Sequence, residues 1–231
     1  MHIIKIIFLC ISITFNIAQS YAGEVLSGGT LQAYWQPYWD EDNSYVPDLH
    51  LRYITHRDDD KPRRVIDIVA TWSESQIAEF VRQHFDHVPE TFFTYKEGYA
   101  NQPGTARVPY VRKYVECDAI YYEAKLAAFV ADHHSKLSSQ DILNDERFAG
   151  CSEIFPYIAN YYPKESISTG LKNSPDDHAS TLYTLKEYEL ITKIKTINNE
   201  WIYASLYNKE QPALYTETKG YIRLKDLTPL N

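Results

Sequence analysis

The chain has 231 residues, 44% of them hydrophobic and 23% charged, and a formal net charge of −8. That length holds one large domain or two small ones. The acidic balance repels nucleic acid and anionic lipid unless a local basic patch intervenes, and the basic residues are scattered, Arg63-Arg64 being the densest pair. A cationic partner, such as a basic protein, suits the charge better.

The first segment reads as a secretory leader. Met1 to Lys5 is a short basic start, residues 6–17 are mostly apolar, and Ser20-Tyr21-Ala22 places small residues for cleavage after Ala22. The apolar run falls short of the roughly 20 residues that span a bilayer, and Cys10 sits mid-run, away from a lipidation position. No integral membrane segment is expected after cleavage. Residues 1–22 carry one Lys and no acid, so cleavage leaves 22 basic against 31 acidic residues, a charge of −9.

Tyrosine is the unusual component, 20 residues in all. Aromatics favour strands, where a ring packs and its hydroxyl stays wet. Strands are expected at 30–38, 49–56, 65–72, 91–96, 110–117 and 119–130. The last alternates most cleanly, with Ile120, Tyr122, Ala124, Leu126, Ala128 and Val130 on one face. Trp35-Gln36-Pro37-Tyr38-Trp39 reads as a buried first strand or an aromatic binding rim. Ser73-Glu74-Ser75-Gln76 has the form of a capping box, and Ile77, Phe80, Val81 and His84 follow at helical spacing, with Pro89 as a stop. Asn101-Gln102-Pro103-Gly104 carries the signal of a loop. A second helix is expected over 141–148, ended by Gly150.

Cleavage of the leader leaves two cysteines, Cys117 and Cys151. In an oxidising compartment an even pair reads as one disulfide. Closing a loop of about 35 residues would stabilise the fold by roughly 3 kcal/mol.

Residues 163–175, rich in Ser, Thr, Gly, Asn and Pro, mark a domain boundary. Beyond it, Ser174-Pro175-Asp176-Asp177 is followed by Thr181 to Glu189, a turn at Asn198-Asn199, Glu200-Trp201-Ile202-Tyr203-Ala204, then Gly220-Tyr221-Ile222 and Asp226-Leu227. Over about residues 167–230 this resembles a bacterial SH3-like domain of the cell envelope, with Glu187-Tyr188 standing where the family usually has Gly-Asp. The resemblance implies a small barrel with Trp201 and Ile222 in its core and Gly220 where the barrel bends. It also implies binding of peptidoglycan, peptide or a partner domain. Tyr183, Tyr188, Tyr203, Tyr207 and Tyr221 are the candidate ligand-binding residues.

Chemistry is weakly signalled. Gly150-Cys151-Ser152 is faintly like the motif of envelope cysteine hydrolases, with Gly150 in place of their Asp and only His178 downstream. Two carboxylates flank Cys117 and disfavour a thiolate. The histidine pairs His84/His87, His133/His134 and His50/His56 bring no third local ligand beyond an Asp. Asp40-Glu41-Asp42 and Asp58-Asp59-Asp60 read as solvated turns rather than a catalytic pair.

The expected fold is an α+β N-terminal domain, β-rich with two helices, followed by a small all-β SH3-like barrel. The expected domains are a leader (1–22), the disulfide-bearing domain (23–163) and the barrel (164–231). The expected function is non-catalytic binding in the bacterial cell envelope, in the periplasm, to peptidoglycan or an envelope protein, without metal or cofactor. The alternatives are a periplasmic inhibitor or immunity protein neutralising a basic toxin or lytic enzyme, and a cell-wall hydrolase with an unrecognised site.

Overall fold

The computed structural model describes residues 23–36, 46–55, 63–69, 71–116, 119–135, 158–165, 168–211 and 213–230. The leader, both acidic clusters, Cys117, Cys151 and the second expected helix lie outside the described residues.

The first sheet is built from β1 (Glu24–Gln36), β2 (Asp48–Ile54), β3 (Val65–Ile68), β4 (Tyr99–Val108), β5 (Val111–Glu116), β6 (Ala119–Ala124) and β7 (Ala128–Ala131). Its order is β5-β6-β3-β2-β1-β4-β7, antiparallel except for the β3–β6 pair. Strand alternation sends Leu31, Ala33 and Trp35 of β1, Leu49 and Leu51 of β2, and Ile66 and Ile68 of β3 to one face. There they pack with Ile77, Ala78 and Val81 of α1 (Glu74–His84) and Phe92 of α2 (Glu90–Thr94). The capping box is formed: the Ser73 hydroxyl accepts from Gln76 N at 3.4 Å, and Gln76 Oε1 accepts from Ser73 N at 2.8 Å. Ser73→Ala is therefore expected to cost about 1 kcal/mol of stability in urea melts.

The second sheet is built from β8 (Asn160–Pro163), β9 (Gly170–Lys172), β10 (Thr181–Thr184), β11 (Ile191–Thr196), β12 (Trp201–Tyr207), β13 (Tyr215–Arg223) and β14 (Leu227–Pro229). Its order is β10-β9-β13-β12-β11-β8-β14, antiparallel throughout. Tyr161, Leu171, Ile191, Ile202, Ala204, Ile222 and Leu227 form its core.

This architecture corrects the expected fold class. The described residues form fourteen strands in two seven-stranded sheets, against helices of 11 and 5 residues. That is neither an α+β domain nor an appended SH3-like barrel. The second sheet takes in β8, which the boundary after 163 assigned to the first domain, and sets it between β11 and β14.

Three local expectations also change. Residues 91–96 fall mostly in α2 rather than a strand, with Pro89 as its N-cap residue at φ −58°. The Asn101–Gly104 loop is instead the middle of β4. Its Pro-Gly signal is overridden because β1 and β7 pair it from both sides, Pro103 O accepting from Asp132 N at 2.8 Å. Gly104 is needed there, since a Cβ would lie 2.5 Å from Val130 O and 2.6 Å from the Phe129 ring. The single strand expected at 119–130 is two strands, β6 beside β3 and β7 beside β4, on opposite sides of the same sheet.

Tyr53 ties three strands of the first sheet together. Its hydroxyl accepts from Gly29 N at 2.9 Å and faces the carbonyls of Leu26 and Gly104, both at 2.8 Å, of which its one proton serves one at a time. The other face of the sheet carries a cross-strand row of polar residues in register: Asn101, Gln32, Arg52, Asp67, Glu123 and Arg112. Arg52 Nε donates to Gln32 Oε1 at 2.6 Å, and Gln32 Nε2 to Asn101 Oδ1 at 2.8 Å. Gln32 and Arg52 are fully buried. Burial pushes the Asp67 carboxyl above its ordinary range, with Arg52 pulling the other way.

Candidate functional site

Two features gather polar and aromatic side chains on this framework, and they lie on opposite faces of the second sheet. The first is the outer face. In register, Tyr203 faces Tyr221 and Trp201 faces Arg223. The two tyrosine rings are 4.9 Å apart. Lys195 sits 5.7 Å over the Tyr203 ring, and Lys172 is the cross-strand partner of Tyr221. Arg223 covers Trp201 at 4.8 Å. Its Nε bonds Asp177 Oδ1 at 2.6 Å and its Nη1 bonds Glu200 Oε2 at 2.8 Å. The Arg223 hydrogen bonds hold the Asp177 carboxyl below the usual carboxylate range. Trp201 is thus buried under Arg223 on the face opposite Ile202 and Ala204, whereas Ile222 lies in the core. Gly220 packs on Leu171, where a Cβ would come within 2.8 Å of the Leu171 Cβ.

The five candidate tyrosines are only partly brought together. Tyr203 and Tyr221 meet. Tyr183 packs on the core, its hydroxyl donating to Glu189 at 2.8 Å. Tyr188 lies apart from the other four in the turn that follows β10, 69% exposed, at φ 63°, with its side chain hydrogen-bonded to Glu187. That left-handed conformation is one glycine takes freely and a tyrosine adopts at a cost. Tyr207 packs between the units with Tyr34, Tyr99, Ile158 and Leu214.

The second feature is a crevice of about 460 Å³. Its floor is Tyr161, Ile202, Leu227 and Pro229, and its rim carries Lys164, Lys193, Asn198, Asn199 and Thr228. Tyr95, from the end of α2, closes one side and reaches the Ile197 carbonyl at 3.5 Å. Beside it, Glu97 fastens the first unit to β11. Glu97 Oε2 takes the Lys193 ammonium at 2.6 Å and the Thr196 hydroxyl at 2.6 Å, and Glu97 Oε1 accepts from Thr196 N at 2.9 Å. The two charged side chains are only 8% and 9% exposed.

A bulge puts Lys193 there. The β11–β12 register slips between Lys193, opposite core-facing Ala204, and Lys195, opposite outward-facing Tyr203. Two lysines two residues apart therefore point to opposite faces.

Sequence reasoning missed Tyr95, Glu97, Lys164 and Lys193 as site residues and saw Asn198-Asn199 only as a turn. The available signal was small: a lone Glu between Lys96 and Gly98, and two lysines in an apparently alternating strand. The histidines scatter. His133 Nδ1 pairs with Asp86 Oδ2 at 2.7 Å, His84 stacks on Phe80 at 4.3 Å, and His50 stacks on Tyr34 at 5.5 Å. Among the described residues no group of three or more His, Cys, Asp or Glu is placed to hold a metal ion. Trp35 of the aromatic segment is buried in the first core, 5.8 Å from Phe92. No family model, no curated protein and no solved structure matches the chain.

Proposed function

We propose that the chain is a non-catalytic binding protein of the bacterial cell envelope that recognises peptidoglycan through the outer face of its second sheet. The observation that carries this reading is the Tyr203–Tyr221 pair with the Lys195 ammonium over the Tyr203 ring. Flat amphipathic rings offer contact area to sugars at low entropic cost. The Lys195 ammonium beside them suits the carboxylates of the cross-linking peptides, whereas the Lys172 ammonium is given to the carbonyls of Asp177 and Ala179. The face lies on paired strands rather than a loop, so little ordering is needed on binding. The leader-like N-terminus supports an envelope location, and residues 158–231 hold nine basic and nine acidic residues, so this unit does not repel an anionic polymer.

Sedimentation with purified peptidoglycan tests this. The wild-type chain is expected to co-sediment. Replacing both rings (Tyr203→Ser with Tyr221→Ser) is expected to weaken binding at least about tenfold, since aromatic anchors at the centre of a contact are worth 2 kcal/mol or more. Equal co-sedimentation of the two proteins, with unchanged circular dichroism, would remove this face from the function.

The charge distribution favours a second reading. Because residues 158–231 are neutral, the whole net charge of −8 lies in residues 1–157. A basic toxin or lytic enzyme would be steered to that part of the chain, as an inhibitor requires. Association with such a partner would slow steeply as salt rises, whereas salt-insensitive association would count against it.

A further inference from the structure

We infer that the crevice between Tyr95 and the second sheet is a separate binding site, for a short peptide ending in a free carboxylate. The volume, about 460 Å³, falls within the range of small-ligand sites, which favour junctions between packed units. Its floor is apolar and its rim is rich in donors. Lys193 is already neutralised by Glu97. Lys164 is not: it is exposed and has no ion pair or side-chain hydrogen bond among the described residues. Its ammonium is the charge open to an anion. The Asn199 side chain likewise has no hydrogen bond among the described residues. Asn198 uses only its Oδ1, on the N–H groups of Glu200 and Trp201, both at 2.9 Å, which leaves its amide protons to a ligand. One uncommitted ammonium and two side-chain amides form a donor set for a carboxylate.

The body of the ligand is argued from the wall. β14 is the last strand in the order of the second sheet and lines the crevice through Leu227, Thr228 and Pro229. Leu227 N–H already donates to the Leu224 carbonyl and Pro229 has no N–H, so an extended peptide would meet this edge through its own N–H groups donating to the carbonyls of β14, while pockets beside it take alternate side chains. Tyr161 and Leu227, which keep a small exposed edge above the fully buried Ile202, would meet small apolar side chains there. The site is independent of the tyrosine face, because Ile202 and Tyr203 point to opposite sides of β12.

The test is a calorimetric titration of the full chain with N-acetyl-trialanine carrying a free carboxylate, and with its C-terminal amide. The acid is expected to bind about tenfold tighter than the amide, the size of one charge-assisted contact. Lys164→Gln, an exposed change, is expected to bring the acid down to the level of the amide and leave the amide unchanged. Tyr203→Ser is expected to change neither, so failure of peptidoglycan binding and failure of this site read out separately. Equal affinity for acid and amide, or no binding of the acid at millimolar peptide, would overturn the inference.

Discussion

Replacing Glu97 with Ala is expected to lower the unfolding free energy by about 3–5 kcal/mol, read from urea melts of the full chain. The carboxylate is 8% exposed and serves three donors at once, the Lys193 ammonium, the Thr196 hydroxyl and the Thr196 backbone N–H. Removing it leaves a buried ammonium without its counter-charge and a backbone N–H without its acceptor. Both costs are desolvation costs that no solvent repays at a buried site. The two partners are not equivalent. Lys193→Met leaves Glu97 its two Thr196 bonds and replaces the ammonium by a side chain of similar length, so its loss is expected to be smaller. A double-mutant cycle on Glu97 and Lys193 should return a coupling of about 0.5–3 kcal/mol, the range for residues in one network. If Glu97→Ala cost less than about 1 kcal/mol, the threshold for surface pairs, this contact would not be what holds the first unit to β11. The effect should extend to the crevice, because Tyr95 and Glu97 lie in the same short connection between α2 and β4.

The strands and α1 were legible wherever the pattern was local. Ser73 and Gln76 announced a helix start, and the strands expected at 30–38 and 49–56 fall on β1 and β2, although β1 begins six residues earlier, at Glu24. What failed was decided at a distance. Pro103-Gly104 reads as a turn in any local window, yet β4 is a well-paired strand because Gly104 lets Phe129 and Val130 approach from β7. Lys193 and Lys195 alternate as though both faced solvent, and only the bulge between them sends one to Glu97. Gln32 and Arg52 look like the wet side of a strand but are fully buried in a row of cross-strand partners. Composition could not separate these cases, since a polar residue on a covered face and one on an open face have the same spacing. The second unit shows the same limit. Its turn residues and its Trp, Gly and Ile elements resemble a small barrel, but β8 is recruited from before the apparent boundary, and pairing across that boundary is not written in local pattern. The five tyrosines were singled out from sequence as one group; that only Tyr203 and Tyr221 among them meet depends on the β12–β13 register.

Tyr53→Phe is expected to cost about 2–4 kcal/mol and, more diagnostically, to reduce the loss of stability at alkaline pH. The cost follows from one hydroxyl that accepts from Gly29 N and donates to Leu26 O or Gly104 O. Its removal leaves a buried N–H and a carbonyl unpaired, at about 1–3 kcal/mol each. The pH effect follows from burial, which raises the Tyr53 phenol from 10.0 to about 12, with the Gly29 hydrogen bond opposing. A folded-state value above the unfolded one means that the unfolded chain releases this proton first. Stability from keeping Tyr53 neutral is therefore whole below pH 10 and is lost as pH rises from about 10 towards about 12. Over that window the loss from Tyr53 is roughly 1.4 kcal/mol per pH step, or about 3 kcal/mol in all. Burial raises the Tyr34 phenol as well, so the wild-type curve should fall more steeply than Tyr53 alone requires. Urea melts of both proteins between pH 8 and pH 12 check this. The variant should start lower and fall less, the two curves converging at the alkaline end. Parallel curves would mean that Tyr53 ionises in the folded protein as readily as in the unfolded chain. The hydroxyl would then not be the sealed junction between β1, β2 and β4 that its three partners describe.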